Sequence, residues 1–137
     1  MEIGKMIEIK FRAWDTFHKK VYDVLEINFL EWTCLLWLTQ GKATVSIQRL
    51  LEEVIIMQYA NIKDKYDKEA YHKDIAVSNT TGKTQSYWMI EWNDIEARLE
   101  LKSLNGYTPL PLRLIKDMQI IGNAYENSKL LKQETKQ

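Results

Sequence analysis

Apolar and polar residues alternate along much of the chain, and the period is close to two rather than 3.6. Over residues 7–14, Ile7, Ile9, Phe11 and Ala13 fall on one side and Glu8, Lys10, Arg12 and Trp14 on the other. Successive side chains of extended backbone point to opposite faces, so this pattern predicts a half-buried strand. Asp15 and Thr16 open a turn, and residues 19–23 return as its partner. Leu25, Ile27 and Phe29 alternate again. Residues 32–38 are apolar almost throughout, which predicts a strand covered on both faces. A turn at Gln40-Gly41-Lys42 leads into a strand over residues 43–47. Ile47, Leu50, Leu51, Val54 and Ile55 have helical spacing, so a short helical turn is expected over residues 48–52. The β-branched run that follows predicts a strand over residues 54–59.

Residues 61–68 are charged and read as a loop, residues 69–73 as one helical turn, and residues 75–77 as a short strand. A turn at 79–82 precedes an aromatic strand at 87–92, and Ala97, Leu99 and Leu101 alternate with charged neighbours. Asn105-Gly106 predicts a hairpin, because both residues accept positive φ. Pro109 and Pro111 cannot donate ladder hydrogen bonds and mark an edge or a loop. A last strand is expected at 118–121, then a helical turn capped by Asn127 and running to 131, then a frayed polar tail over 132–137. No repeat or linker interrupts the pattern, so residues 1–131 read as one domain. The expected fold class is all-β: a mostly antiparallel sandwich or small barrel with a few short helical turns.

Composition narrows the partners. Of 137 residues, 45% are hydrophobic, enough for a core, and 19 basic residues balance 19 acidic ones. A net charge of +0 supplies no field that would draw nucleic acid or an anionic membrane. No apolar run approaches the ~20 residues of a membrane-spanning helix. Residues 1–10 lack a signal-peptide core, and the single cysteine, Cys34, sits in an apolar run. A buried thiol with no internal disulfide and a cytoplasmic location are therefore expected.

Candidate chemistry is sparse. Gly82-Lys83-Thr84 ends like a phosphate-binding loop, but the glycine that motif needs five residues earlier is Val77. His18 and His72 stand apart in charged segments, and with one cysteine they do not make the roughly four-ligand pattern of a zinc site. No Gly-x-Ser-x-Gly elbow occurs. Asp64, Asp67, Glu69 and Asp74 cluster in sequence, but Lys63, Lys65, Lys68 and Lys73 interleave with them, so a solvated, salt-bridged loop is expected. A non-enzymatic protein without metal, nucleotide or other cofactor follows as the expectation. The loop 61–73 is the candidate interaction surface, through Lys63, Lys65, Tyr66, Lys68, Tyr71 and His72, because tyrosine offers apolar area and a polar handle at low entropic cost. The alternative is a weak single-stranded nucleic-acid face made by Lys10, Arg12 and Trp14 with Lys19 and Lys20. The neutral net charge argues against it. The apolar runs at 32–38 and 87–92 raise the further expectation of a homodimer.

Three ordered blocks resemble the YopX family of phage and prophage proteins. They are Ile9-Lys10-Phe11-Arg12-Ala13-Trp14-Asp15; then Ile56-Met57-Gln58-Tyr59 with Ile62-Lys63-Asp64-Lys65, Lys68-Glu69, Tyr71 and Asp74-Ile75; then Ile120-Ile121-Gly122-Asn123 with Tyr125-Glu126-Asn127 and Leu130-Leu131. Where the family has glycine, this chain has Asp67 and Lys73, and Ser128 stands where the family has proline. Asp67 tolerates positive φ better than Lys73 does. The resemblance implies a β-dominated fold and a phage or prophage origin. It carries over no activity and no catalytic residues. A small phage-type protein of this kind is expected to occupy a surface on a host or phage protein, a host-defence complex such as a CRISPR nuclease being one such target. A replication accessory or self-assembling structural role is the alternative.

Overall fold

The computed structural model describes residues 6–40, 42–80 and 84–132. Eleven strands build two antiparallel sheets. β1 (Phe11–Asp15), β2 (Lys20–Asn28), β3 (Thr33–Gln40), β4 (Ala43–Leu50), β5 (Val54–Lys63) and β6 (Glu69–Tyr71) form a six-stranded sheet in the order β4-β3-β2-β1-β5-β6. β7 (Asp74–Thr80), β8 (Thr84–Asn93), β9 (Arg98–Ser103), β10 (Leu110–Pro111) and β11 (Gln119–Asn123) form a five-stranded sheet in the order β10-β9-β8-β7-β11. Among the described residues, helix is confined to 3-10 turns at Leu51–Glu53, Leu112–Asp117 and Ser128–Lys132. The all-β expectation holds, as two open sheets and not a closed barrel.

The connection from β4 to β5 explains the shape of the first sheet. Only the turn Leu51–Glu53 joins them, yet β3, β2 and β1 lie between them in the sheet. So short a link requires the sheet to coil until β4 and β5 approach each other. The trough is filled by Ala13, Cys34, Leu36, Leu38 and Val54. Its end is closed where Leu51 N–H donates to Trp32 O and Thr16 N–H donates to Glu53 O. Leu36 is fully buried there, and Leu36→Ala is a cavity change of about 2–5 kcal/mol.

The second sheet packs Ala76, Trp88, Ile90, Leu101 and Ile120 under Ile115 of the long 3-10 segment and Met118 just after it. Ile75 and Met89 on its other face meet Ala124. β5 and β6 join the halves, because β6 pairs with β5 and then turns directly into β7.

Several expectations are corrected. β1 begins only at Phe11, and Ile7 and Ile9 are exposed, because residues 6–10 run outside the ladder and are tied down by the Glu8 N–H bond to Asn61 Oδ1. β3 is covered on one face only: Cys34, Leu36 and Leu38 face the trough, and Trp37 looks outward. Residues 69–73 form no helical turn, since β6 pairs through Tyr59–Tyr71 and Lys63–Glu69. Strand pairing with β5 overrides local propensity there. Asn105-Gly106 closes no tight hairpin. Gly106 takes φ of +88°, but Asn105 instead accepts from Tyr87 N–H through Oδ1, and a wider loop carries the chain to β10. Asn127 does not cap the last turn with its side chain, whose Oδ1 accepts from Asn123 N–H. β7 and β8 extend through Thr80 and from Thr84, while Thr81, Gly82 and Lys83, with most of the phosphate-loop-like tripeptide, lie outside the described residues. Gly41 of the expected turn and residues 133–137 of the tail also lie outside them.

Candidate functional site

Among the described residues the three most deeply buried carboxylates, Asp15, Asp64 and Asp74, organise the polar interior. Asp15 ends β1 and is fully buried. Arg49 of β4 reaches it with two donors of the guanidinium, Nε to Oδ1 at 2.9 Å and Nη2 to Oδ2 at 3.3 Å. The N–H groups of Phe17 and His18 also donate to it. Burial pushes the Asp15 carboxyl up, but Arg49 and those N–H donors outweigh burial and hold it below its usual range. Asp64 is caged in the same manner by the N–H groups of Tyr66, Lys68 and Ile120, and it too is held low against the effect of burial.

Asp74 differs. It is almost fully buried at the start of β7, where Oδ2 accepts from Tyr71 N–H and Oδ1 accepts from Arg12 Nη2 at 2.6 Å. Burial raises its carboxyl above the usual value, and Arg12 only partly offsets this. The guanidinium of Arg12 lies over the Tyr71 ring at 4.6 Å, and its buried Nε has no hydrogen-bond partner among the described residues. The expectation of a solvated, salt-bridged acidic cluster holds for exposed Asp67 and for Glu69, which pairs with Lys10, and is overturned for Asp64 and Asp74, which are buried because backbone donors and Arg12 replace water around them.

Arg12 and Asp74 sit in an open groove of about 480 Å³ between the two halves, lined also by Asp23, Lys68, Asn123 and Asn127. A second cleft of about 710 Å³ is walled by Trp88, Tyr107, Leu110 and Leu114, with Asp117 as its one charged group. Among the described residues, no three His, Cys, Asp or Glu side chains converge as a metal site would require.

The loop predicted as an interaction surface is divided. Lys63, Lys65, Tyr66 and Lys68 are exposed, with Lys65 Nζ 5.3 Å from the centre of the Tyr66 ring. Tyr71 is buried, so it belongs to the framework and not to the surface. His72 is half-buried, with Nε2 2.9 Å from Glu91 Oε1. The predicted nucleic-acid face does not assemble either. Lys10 is ion-paired with Glu69 and Glu8, and the Glu69 hydrogen bond raises its ammonium well above the usual range. Arg12 is committed to Asp74, and Trp14 stacks on Tyr125 at 5.8 Å. Lys19 and Lys20 are exposed at the other end of the β1–β2 hairpin. Lys20 pairs with Asp15, five residues from Lys10, so roughly 17 Å of strand separates the two lysines.

Sequence reading missed the tip of the β2–β3 hairpin. Phe29, Leu30 and Trp32 are 73%, 91% and 55% exposed there. Asn28 Oδ1 accepts from the N–H groups of both Leu30 and Glu31, and Trp32 holds a left-handed φ of 59°. Leu50, also exposed, pairs with Thr33 beside the tip. The available signal was Asn28 followed by large apolar residues, since asparagine bonds readily to backbone two and three residues on.

Two open antiparallel sheets, joined by one strand pair around buried Arg–Asp contacts, define the class: a small all-β protein with loops on a stiff scaffold. The chain belongs to the YopX protein family, whose model matches residues 10–132. Its fold is similar to the crystal structure of protein EF1440 from Enterococcus faecalis, with a TM-score of 0.65 and 20% sequence identity over 93% of this chain and 100% of that one. No curated protein matches the chain. No helix among the described residues is long and apolar enough to cross a membrane.

Proposed function

We propose that this is a non-enzymatic, phage- or prophage-encoded protein-binding module that acts in the bacterial cytoplasm on a host or phage protein. The observation that carries the reading is the β2–β3 tip. Phe29, Leu30 and Trp32 project into solvent from a turn whose backbone is already fixed by Asn28. A backbone already fixed reduces the ordering cost of binding, and aromatic anchors of this type supply most of the energy in protein interfaces. Tyr66 and its neighbouring lysines add an exposed polar flank for such an interface at another point of the same scaffold. A host-defence complex such as a CRISPR nuclease is one target of this class. The charges of Lys10 and Arg12 are spent within the protein, which weighs against single-stranded nucleic acid as the ligand.

The test is affinity capture from host lysate, with and without phage infection, using the wild-type protein and Leu30→Glu. Leu30 is the most exposed of the three, so the substitution leaves the fold intact by circular dichroism. A specific partner that is retained by the wild type and lost at least tenfold with Leu30→Glu supports the reading. A partner captured equally by both proteins, or none, refutes the tip as the binding element.

A further inference from the structure

The four sheet edges are not alike. β6 has three residues, and β10 has two and ends in Pro111. β11 is broken by a register shift between Ile120 and Gly122. These are the usual ways in which proteins blunt an edge against pairing. β4 has none of them. It runs eight residues, Ala43–Leu50, in unbroken register with β3, and β3 is its only ladder partner among the described residues. It carries no proline, and Ala43 to Gln48 carry no charge.

We propose that β4 pairs antiparallel with β4 of a second copy of this chain, joining two six-stranded sheets across a two-fold axis at Ser46. The occupant follows from self-complementarity. Pairing about Ser46 sets Thr44 opposite Gln48 of the second copy, Val45 opposite Ile47, and Ala43 opposite Arg49. No like charges meet, and two β-branched side chains pair on the trough face, the favourable cross-strand combination. Val45 is exposed in the single chain and gains cover from this pairing. On the outer face Trp37 pairs with Ser46 within the chain and is 40% exposed. In the dimer one Trp37 flanks the axis on each side, leaning over two small serines. A partner protein's strand adding to the same edge is the competing occupant.

The experiment combines light scattering with cysteine cross-linking, both on the full chain. Wild type at micromolar concentration gives twice 16.3 kDa, and Ser46→Lys, which sets two ammonium groups against each other at the axis, gives 16.3 kDa with an unchanged circular dichroism spectrum. Ser46→Cys forms a disulfide-linked dimer on mild oxidation, because residues facing each other across an antiparallel pair lie about 4.5–5.5 Å apart at Cα, within disulfide reach. Buried Cys34 stays reduced. Wild type at 16.3 kDa throughout, as expected if β4 serves only a partner's strand, overturns the proposal. A Ser46→Lys protein that remains dimeric, or a Ser46→Cys protein that fails to cross-link, overturns it as well. The β2–β3 tip is untouched by both variants, so partner capture is read separately.

Discussion

Two Arg–Asp pairs with the same chemistry sit in opposite electrostatic states. Asp15 and Arg49 meet through two hydrogen bonds within the coiled sheet, and two backbone N–H groups complete the carboxylate's shell. Asp74 and Arg12 meet through one short bond across the junction of the sheets, and Nε of the arginine is left without a partner among the described residues. Burial acts on both carboxyls in the same direction. The donors outweigh it at Asp15 and do not at Asp74. What decides is the balance between burial, which weighs more heavily on Asp74, and the donors aimed at the charge, not the mere presence of a counter-ion.

The comparison is sharpest in stability. Arg49→Met keeps an apolar side chain but removes the guanidinium that lies over Phe17, leaves Asp15 buried with its charge uncompensated, and costs about 4 kcal/mol. Arg12→Met leaves Asp74, whose carboxyl is held above its ordinary value by burial, so protonation relieves part of the loss and about 2 kcal/mol is expected. Urea denaturation at neutral pH measures both, and the reverse order would break the distinction.

The next effect is in acid, where the two carboxyls have opposite signs. Asp15 is held below its ordinary 3.8, so its contribution is present above that pH and is lost as pH falls through the lower folded value. Asp74 is raised above 3.8, so its contribution is present below that pH and is lost as pH rises through the higher folded value. Asp15→Asn should therefore flatten the acid limb of stability against pH. Asp74→Asn should steepen the rise above that ordinary value. Denaturant midpoints between acid and neutral pH check this, and slopes that change in the same direction for both variants would contradict it.

The smallest effect concerns the turn that presents Asp74. Lys73 holds a φ of +75° and Asp67 a φ of +64°, the two positions where the family resemblance calls for glycine. Lys73→Gly relieves left-handed strain of about 1–2 kcal/mol and gives back part of it through chain entropy and the loss of the Glu91 ion pair. A net gain of about 0.5 kcal/mol is expected, measured as a small rise in melting temperature. A clear loss would place more weight on the Glu91 pair than on the backbone.

Much of the fold is legible in residue order because strand alternation is local. The patterns around Phe11 and Ala13, Leu25 and Ile27, and Leu99 and Leu101 fall within β1, β2 and β9 respectively. The reading fails where pairing is long-range. Residues 69–71 become strand only because β5 lies beside them, and the outer face of β3 stays open, leaving Trp37 40% exposed. The candidate site was legible in fragments. Tyr66 is exposed as expected, Tyr71 is not, and the apolar hairpin tip was read as the end of one strand and the start of another.

The sequence by itself determined the all-β class and the buried state of Cys34, since each depends on neighbours a few residues apart, and it determined the family through three short blocks in fixed order. Tertiary structure alone decided which charges are free. Asp15 meets Arg49 across 34 positions and Asp74 meets Arg12 across 62, and no local pattern records a partner at that distance. The same holds for the open edge of β4, because an edge is defined by the strand that is not beside it.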